Sequence, residues 1–467
     1  MTSAPTTTAS ASGVDRSRAG RRAVWGLGVG LVVVAVSMLV PPVFGVVVKA
    51  GGAEPLLGDW MLRYGPSSVV AVGLVAAAAH PRTHAALDRL SWRHLLWTSW
   101  LVGIVWMVSL ALVDGYDGMG KILNHGTEYL ESARMIDDVG EMLRTYVSRI
   151  PLDAEGNWAV HLAGHPPGAV LMFIGLDRIG LGAWQVAGPI VVAVGATVPA
   201  AVAVTLDRLG AREAARRALP FLVLAPTAIV MAVSADAVFA AIVAWGMAAL
   251  AAAGAAGGRR RLGLGVVSGL LLGWGLMCSY GLGLTALLAL GALVAMRGSL
   301  RERAVLAVVT AGTALGVVLV FAALGFAWWD AYPVLHERYW AGLASQRPGW
   351  YWVFGNVGAL FLVAGLLLPA ALGAASVPVA RLATAAGRAR AQGWELAVAP
   401  LVVAGVAMVA VADASLMSKA EVERIWLPFM PWMLLAVLWL PPRWQRWGLV
   451  AQGVLALVIQ HAVRHVW

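Results

Sequence analysis

Apolar runs separated by short polar clusters recur from residue 24 to the end of the chain, at 24–49, 66–80, 95–113, 183–205, 218–234, 237–256, a pair within 262–296, 304–327, 351–373, 396–412, 425–440 and 449–463. A helix needs about 20 apolar residues to cross a hydrocarbon core of ~30 Å. The pattern therefore predicts an all-α fold, a polytopic transmembrane helix bundle of about 13 spans. No segment between the runs is long enough for a separate soluble domain, so residues 23–467 read as a single membrane domain. Residues 1–22 are rich in Ser, Thr and Ala and end in Arg16, Arg18, Arg21 and Arg22. That composition cannot bury a core and predicts a disordered cytoplasmic tail. The run that follows lacks a small-residue cleavage site and reads as an uncleaved first span.

Composition sharpens this picture. The chain is 60% hydrophobic and 12% charged, where soluble domains carry about 25% charged residues. A net charge of +10 raises the question of nucleic acid. The basic residues, however, sit in short clusters between apolar runs, as cytoplasmic loops do, which points to membrane lipids as surroundings and excludes nucleic acid as the expected partner. With the N-terminus in the cytoplasm, the tail and residues 81–94, 206–217, 257–261, 297–303, 374–395 and 441–448 lie inside. These segments hold 22 of the 34 Lys and Arg but only 6 of the 24 Asp and Glu. The asymmetry has the sign of the positive-inside rule and concentrates carboxylates on the outer face. The scarcity of Lys, with only Lys49, Lys121 and Lys419, and the abundance of Ala, Gly and Val fit a GC-rich, actinobacterial genome.

Three outer stretches stand out: 114–182, 328–350 and 413–424. The first is too long for an ordinary connection, and long loops on a helical scaffold usually carry function. Within it, residues 168–180 are apolar but short; about 13 helical residues span roughly 20 Å. They predict an amphipathic helix in the outer interface, entered through Pro166 and Pro167. Cys278 is the single cysteine, so there is no disulfide framework and no cysteine-based metal site. The glycines within 263–283 fit close helix packing.

The candidate chemistry lies on the outer side. Asp114 and Asp117 follow the third run in LALVDGYDGM, where Gly115, Gly118 and Gly120 favour a turn that faces both carboxylates into one pocket. Such a pair suits a general base, with a solvated loop as the lesser alternative. His161 and His165, in VHLAGHPPG, have the spacing of a two-histidine metal face. The prolines after His165 break the helix that such a face needs, which favours hydrogen bonding to a ligand over metal binding. Asp236, in MAVSADAVFA, is either an intramembrane functional residue or a helix cap together with Ser234. Glu421, Glu423 and Arg424 open the run KAEVERIWLPFMPW, where Arg424 can snorkel or grip a phosphate with its planar fork. Arg338 and Arg347 add outer cations among aromatic residues, beside His336 and Tyr339. No P-loop and no dinucleotide fingerprint occur.

In order, these motifs resemble the GT-C superfamily of membrane glycosyltransferases, including actinobacterial mannosyl- and arabinosyltransferases. The resemblance runs over roughly residues 95–440: an outer loop opening on Asp114 and Asp117, a His165-Pro166-Pro167 step into a juxtamembrane helix, Asp236 two spans later, and Arg424 before the prolines of a late span. The chain departs from it in having two extra runs before residue 95 and no acidic doublet where the loop begins; Asp137-Asp138 comes later. The resemblance implies transfer of a sugar from a polyprenyl-phosphate donor to a cell-envelope glycan or lipoglycan at the outer face of the plasma membrane. The anomeric centre would invert. Asp117, Asp114 and Asp236 are the expected catalytic carboxylates, with Glu128 next in line. His165, His161, Glu423, Arg424, Arg338 and Arg347 are expected at the substrate, with the donor phosphate on Arg424. No cofactor is fixed by the motifs, and a divalent cation stays open. A transporter or flippase of a lipid-linked sugar is the alternative class.

Overall fold

The computed structural model describes residues 8–465, and nearly all of their regular structure is helical. The two short strands, Gly58–Trp60 and Val463–His465, pair antiparallel with Asp59 opposite Arg464, tying the first long connection to the end of the chain. Among the described residues seven helices are long and apolar enough to cross a membrane, and eight if one bent pair counts as a span. Among them, Ala235–Ala255, Leu300–Ala323 and Gly393–Ala414 follow the apolar runs closely.

Two of the other runs break at proline or glycine. The 218–234 run ends the helix Arg212–Val223 near Pro220 and resumes, past Pro226, as the short turn Ala228–Met231. Proline removes a backbone donor and clashes with the preceding turn. The 351–373 run becomes Gly349–Val363 and Leu367–Arg381, bent by 101° around Gly365, whose φ of 96° suits a residue without a Cβ. Ser67–Ala79, Tyr280–Ala295 and Met430–Trp439 are apolar but shorter than a full crossing. Residues 8–22 of the expected tail continue the helix Thr8–Phe44. Propagating an existing helix by a turn costs far less than nucleating one, so polar residues can extend the apolar core of this helix. Residues 1–7 of that expected tail lie outside the described residues.

Glycine sets the tightest packing. Gly265, Gly269 and Gly273 face the helix Leu300–Ala323 from the helix Gly258–Cys278. A Cβ on Gly269 would lie 2.5 Å from the Thr310 carbonyl oxygen. This small-residue stripe lets the two backbones approach, as close helix pairs in membranes require.

Long-range hydrogen bonds sort into two ends of the bundle. At one end Arg63 meets Asp114, Leu57 N meets Glu423, Arg338 meets Ile150 and Arg347 meets Lys49. At the other, Arg216 caps Leu87, Asp88 and Leu90, and Arg217 reaches Leu438. Asp114 and Glu423 belong to the first end, and Arg216 and Arg217 to the second.

Candidate functional site

At the acidic end a guanidinium is buried among carboxylates. Arg424 sits in the single turn Val422–Ile425, directly after a strained strap. Leu416, Ala420 and Glu421 have φ of 55°, 67° and 63°, a region that costs a residue with a side chain and persists only when surroundings impose it. Asn356 imposes it from the helix Gly349–Val363: its Nδ2 donates to Ser418 O and Asp413 Oδ1, both at 2.8 Å, and its Oδ1 accepts from Ala420 N. Lys419 Nζ donates to the Ala344 and Arg347 carbonyls, and Arg347 Nη1 donates back to Lys419 O at 2.6 Å. The strap therefore holds Arg424 at a fixed depth.

The guanidinium engages a partner through each nitrogen. Nη1 donates to Glu128 Oε1 at 3.1 Å, Nη2 lies 3.0 Å from His161 Nε2 and 3.4 Å from Glu421 Oε2, and Nε lies 3.4 Å from Asp236 Oδ2. With Nη2 donating to Nε2, His161 carries its proton on Nδ1. That atom lies 2.7 Å from Glu128 Oε1, a close approach but off the line of a good hydrogen bond. Burial alone would push the Glu128 carboxyl up, but His161 and the Arg424 charge outweigh it and hold the carboxyl below its usual range. Glu128 is thus ionised at neutral pH although only 3% exposed. Asp236 is equally buried and its partner is Arg424; Ser234 makes no capping hydrogen bond, so the helix-cap alternative finds no support.

Polar atoms around this cluster are left unmatched. Among the described residues Glu128 Oε2, Glu423 Oε2 and Ser234 Oγ are buried without a hydrogen-bond partner. Such an atom costs about 1–3 kcal/mol, which a ligand would relieve. Glu423 Oε1 accepts from Leu57 N at 2.7 Å. Burial pushes its carboxyl up to about 7 despite that bond. His165 is driven down to about 4 by burial, so its neutral ring donates from Nδ1 to the Cys278 carbonyl at 2.9 Å. Its neighbours are Tyr129 and Phe239, and Tyr129 stacks on Phe173 at 5.2 Å. The Tyr146 hydroxyl contacts both the Leu162 and His165 carbonyl oxygens, fixing the step between the two histidines. The expected helix after the prolines is Gly168–Arg178. Gly168 lets it touch the end of Gly258–Cys278, since a Cβ there would lie 2.4 Å from the Met277 oxygen.

Asp114 and Asp117 are elsewhere. As the glycine-rich turn predicts, both line one cavity, of about 590 Å³, with Asp59, Arg63, Gln460 and Arg464. Gly115 and Gly120 have φ of 72° and 134°. Asp114 is bonded to Arg63 and to Gln460 Nε2. Asp117 pairs with Lys121 at 2.6 Å, one turn along the chain, with 59% of its side chain exposed. Arg338 is occupied by the Ile150 and Trp158 carbonyls, and Arg347 by the strap, so both brace the loops around the cluster.

Of the residues singled out in the sequence, His161 and Asp236 both lie against Arg424, with His165 and Glu423 at the margin. The sequence reading undervalues Glu128, whose only signal was an acidic residue within the long outer stretch. A phosphate grip by Arg424 meets an obstacle in the geometry, because three carboxylates already surround the guanidinium. Among the described residues no group of three or more His, Cys, Asp and Glu side chains is placed to hold a metal ion. The cation that Glu128, Asp236 and Glu421 share is the Arg424 guanidinium. No family model, curated protein or solved structure matches this chain.

Proposed function

We propose that the chain is a multi-pass plasma-membrane glycosyltransferase that moves a sugar from a polyprenyl-phosphate donor to a hydroxyl of a cell-envelope glycan or lipoglycan at the acidic, extracytoplasmic end. The reading counts the three shorter apolar helices, the broken 218–234 run and Pro442–Ala462 as crossings beside the seven long helices and the bent pair, giving about 13 passes, and lays Gly168–Arg178 along the outer interface. One observation carries it: Glu128 is a buried, ionised carboxylate held by Arg424 beside His161, with its second oxygen unpartnered. In the step proposed, the acceptor oxygen attacks the anomeric carbon while Glu128 Oε2 takes its proton. The bond from that carbon to the phosphate oxygen breaks, and the polyprenyl phosphate leaves with the electron pair. Arg424 keeps Glu128 charged and oriented, and Asp236 balances the guanidinium from the far side. The cavity lined by Asp114 and Asp117 offers carboxylates for sugar hydroxyls.

A flippase of a lipid-linked sugar is the competing reading, since Asp236 is an ionisable residue inside a membrane helix, and such residues mark transport routes as readily as catalytic sites. The test compares envelope glycans and lipid-linked sugars by mass spectrometry in a deletion strain carrying either the wild type or Glu128→Gln at equal expression. Loss of one sugar residue with Glu128→Gln supports the transferase. Build-up of an intact lipid-linked donor on the cytoplasmic face supports the flippase.

A further inference from the structure

The arginine-rich end holds a second cavity, of about 580 Å³, between the helices Ser67–Ala79, Pro81–Arg89, Trp92–Ala111, Arg212–Val223 and Pro442–Ala462. Its walls are apolar, with Leu74, Leu95, Val102, Phe221 and Leu449. Water gains few hydrogen bonds against such walls, whereas a hydrocarbon chain loses nothing there. The volume is in the range that encloses a drug-sized molecule. Its lining also carries His84, Arg216, Arg217 and Arg446, against one acid, Asp88.

The arginines divide by role. Arg216 Nη2 donates to the Leu87, Asp88 and Leu90 carbonyls at 3.0 Å each, so it holds the short helix Pro81–Arg89 against the cavity. Arg217 and Arg446 are exposed. Arg217 donates to Leu438 O and rests over Trp394, and Arg446 rests over Trp447. Among the described residues neither forms a salt bridge, which leaves two positive charges beside an apolar slot. Basic pockets between membrane helices on the arginine-rich side are matched in charge by anionic lipid headgroups.

We infer that this groove binds an anionic phospholipid of the facing leaflet, with an acyl chain between the helices and the headgroup phosphate at Arg217 and Arg446. The site lies at the opposite end of the bundle from Glu128 and stands whether or not the transferase reading does. A structural lipid here would fill the slot between Arg212–Val223 and Pro442–Ala462.

The test is native mass spectrometry of the full chain, purified in detergent and offered phosphatidylglycerol, phosphatidylcholine or inorganic phosphate. Phosphatidylglycerol should stay bound at concentrations where phosphatidylcholine does not. Arg217→Gln with Arg446→Gln should weaken its retention about 25-fold, from roughly fivefold per basic residue near an anionic headgroup. Ala77→Trp, at an exposed position lining the groove, should block binding while leaving both arginines in place. Equal retention of the two lipids by the wild type would overturn the inference. So would an unchanged preference in the double variant, or full displacement of the lipid by inorganic phosphate at equal concentration, which would leave a phosphate site without a chain. The Ala77→Trp arm separates loss of the slot from loss of charge.

Discussion

Two groups of carboxylates stand at the same end of this molecule, and each has an arginine. Around Asp114 and Asp117 the charges line an open cavity, and Asp117 pairs with Lys121 while largely exposed. Around Arg424 they are sealed, with Glu128, Asp236 and the guanidinium each 5% exposed or less. An exposed pair is screened by water and contributes about 0–1 kcal/mol. A buried pair interacts far more strongly but must also offset the loss of hydration of both charges. Identical residue types therefore do different work. The open group can bind polar ligands and tolerates replacement, while the sealed group holds a fixed charge geometry and fails if one member is lost.

The largest effect expected concerns transfer. Glu128→Gln keeps the shape and the hydrogen bond from Arg424 but cannot accept a proton, and general-base loss costs about 10²–10⁴-fold in rate. Asp117→Asn should fall by far less. Wild-type transfer by Glu128→Gln at equal membrane expression would assign chemistry to the open cavity instead and reverse the comparison. Next comes Arg424→Gln. Removing one partner of a buried ion pair costs about 3–5 kcal/mol, so thermal unfolding in detergent should occur well below the wild type. Adding Glu128→Gln should recover part of that loss, because it removes one of the stranded charges. A single and a double variant that unfold together would show that the pair is not energetically coupled.

How much of this was legible follows from what a linear pattern encodes. Apolar runs report which segments can form long apolar helices, so Ala235–Ala255, Leu300–Ala323 and the pair of helices around Cys278 were legible in the sequence. Breaks inside runs were not, because Gly365 or Pro226 leaves hydropathy high while it stops the backbone hydrogen bonding. For the site, sequence gives the depth of each residue but not the direction it faces around the bundle. Asp236 and Arg424 were recognisable as charges at the edge of apolar runs, where they are costly. Glu128 looked like any other acid in a polar stretch. Only the fold brings it to Arg424, 296 positions away, and His161 to the same guanidinium. The exposure of Asp117 was equally hidden, since its pairing with Lys121 follows from a local turn that the glycines permit but do not dictate.

Glu423 sharpens the comparison through pH. Its carboxyl is raised by burial to about 7 from the ordinary 4.5. A carboxyl raised in the folded state binds its proton more tightly there than when unfolded. Its contribution is fully present below about pH 4.5 and is lost as pH rises toward 7, by up to roughly 3 kcal/mol. Glu423→Gln keeps an oxygen for the Leu57 N–H and removes the titration. The variant should gain on the wild type in thermal unfolding between pH 5 and 8 and differ little at pH 4. A constant difference across that range would mean that Glu423 does not titrate there.

The smallest effect belongs to the open group. Asp117→Asn breaks only the exposed pair with Lys121, and one-turn pairs on a surface are worth about 0.3–0.5 kcal/mol. The unfolding temperature should move by no more than the scatter between preparations, and the little stability lost should vanish at high salt, which screens exposed charges over a few ångströms. Asp114→Asn should cost more, because Asp114 is bonded to Arg63 and Gln460 and helps tie the first outer connection to the last helix. Ranking the four carboxylate variants by unfolding temperature at low and high salt therefore reads burial directly. Asp117 should respond to salt with almost no loss, Asp114 should lie between, and Glu128 and Asp236 should shift without regard to salt. An Asp117 variant as damaging as the Glu128 one, and insensitive to salt, would mean that the cavity closes over it in the working protein and that the two regions act as one site.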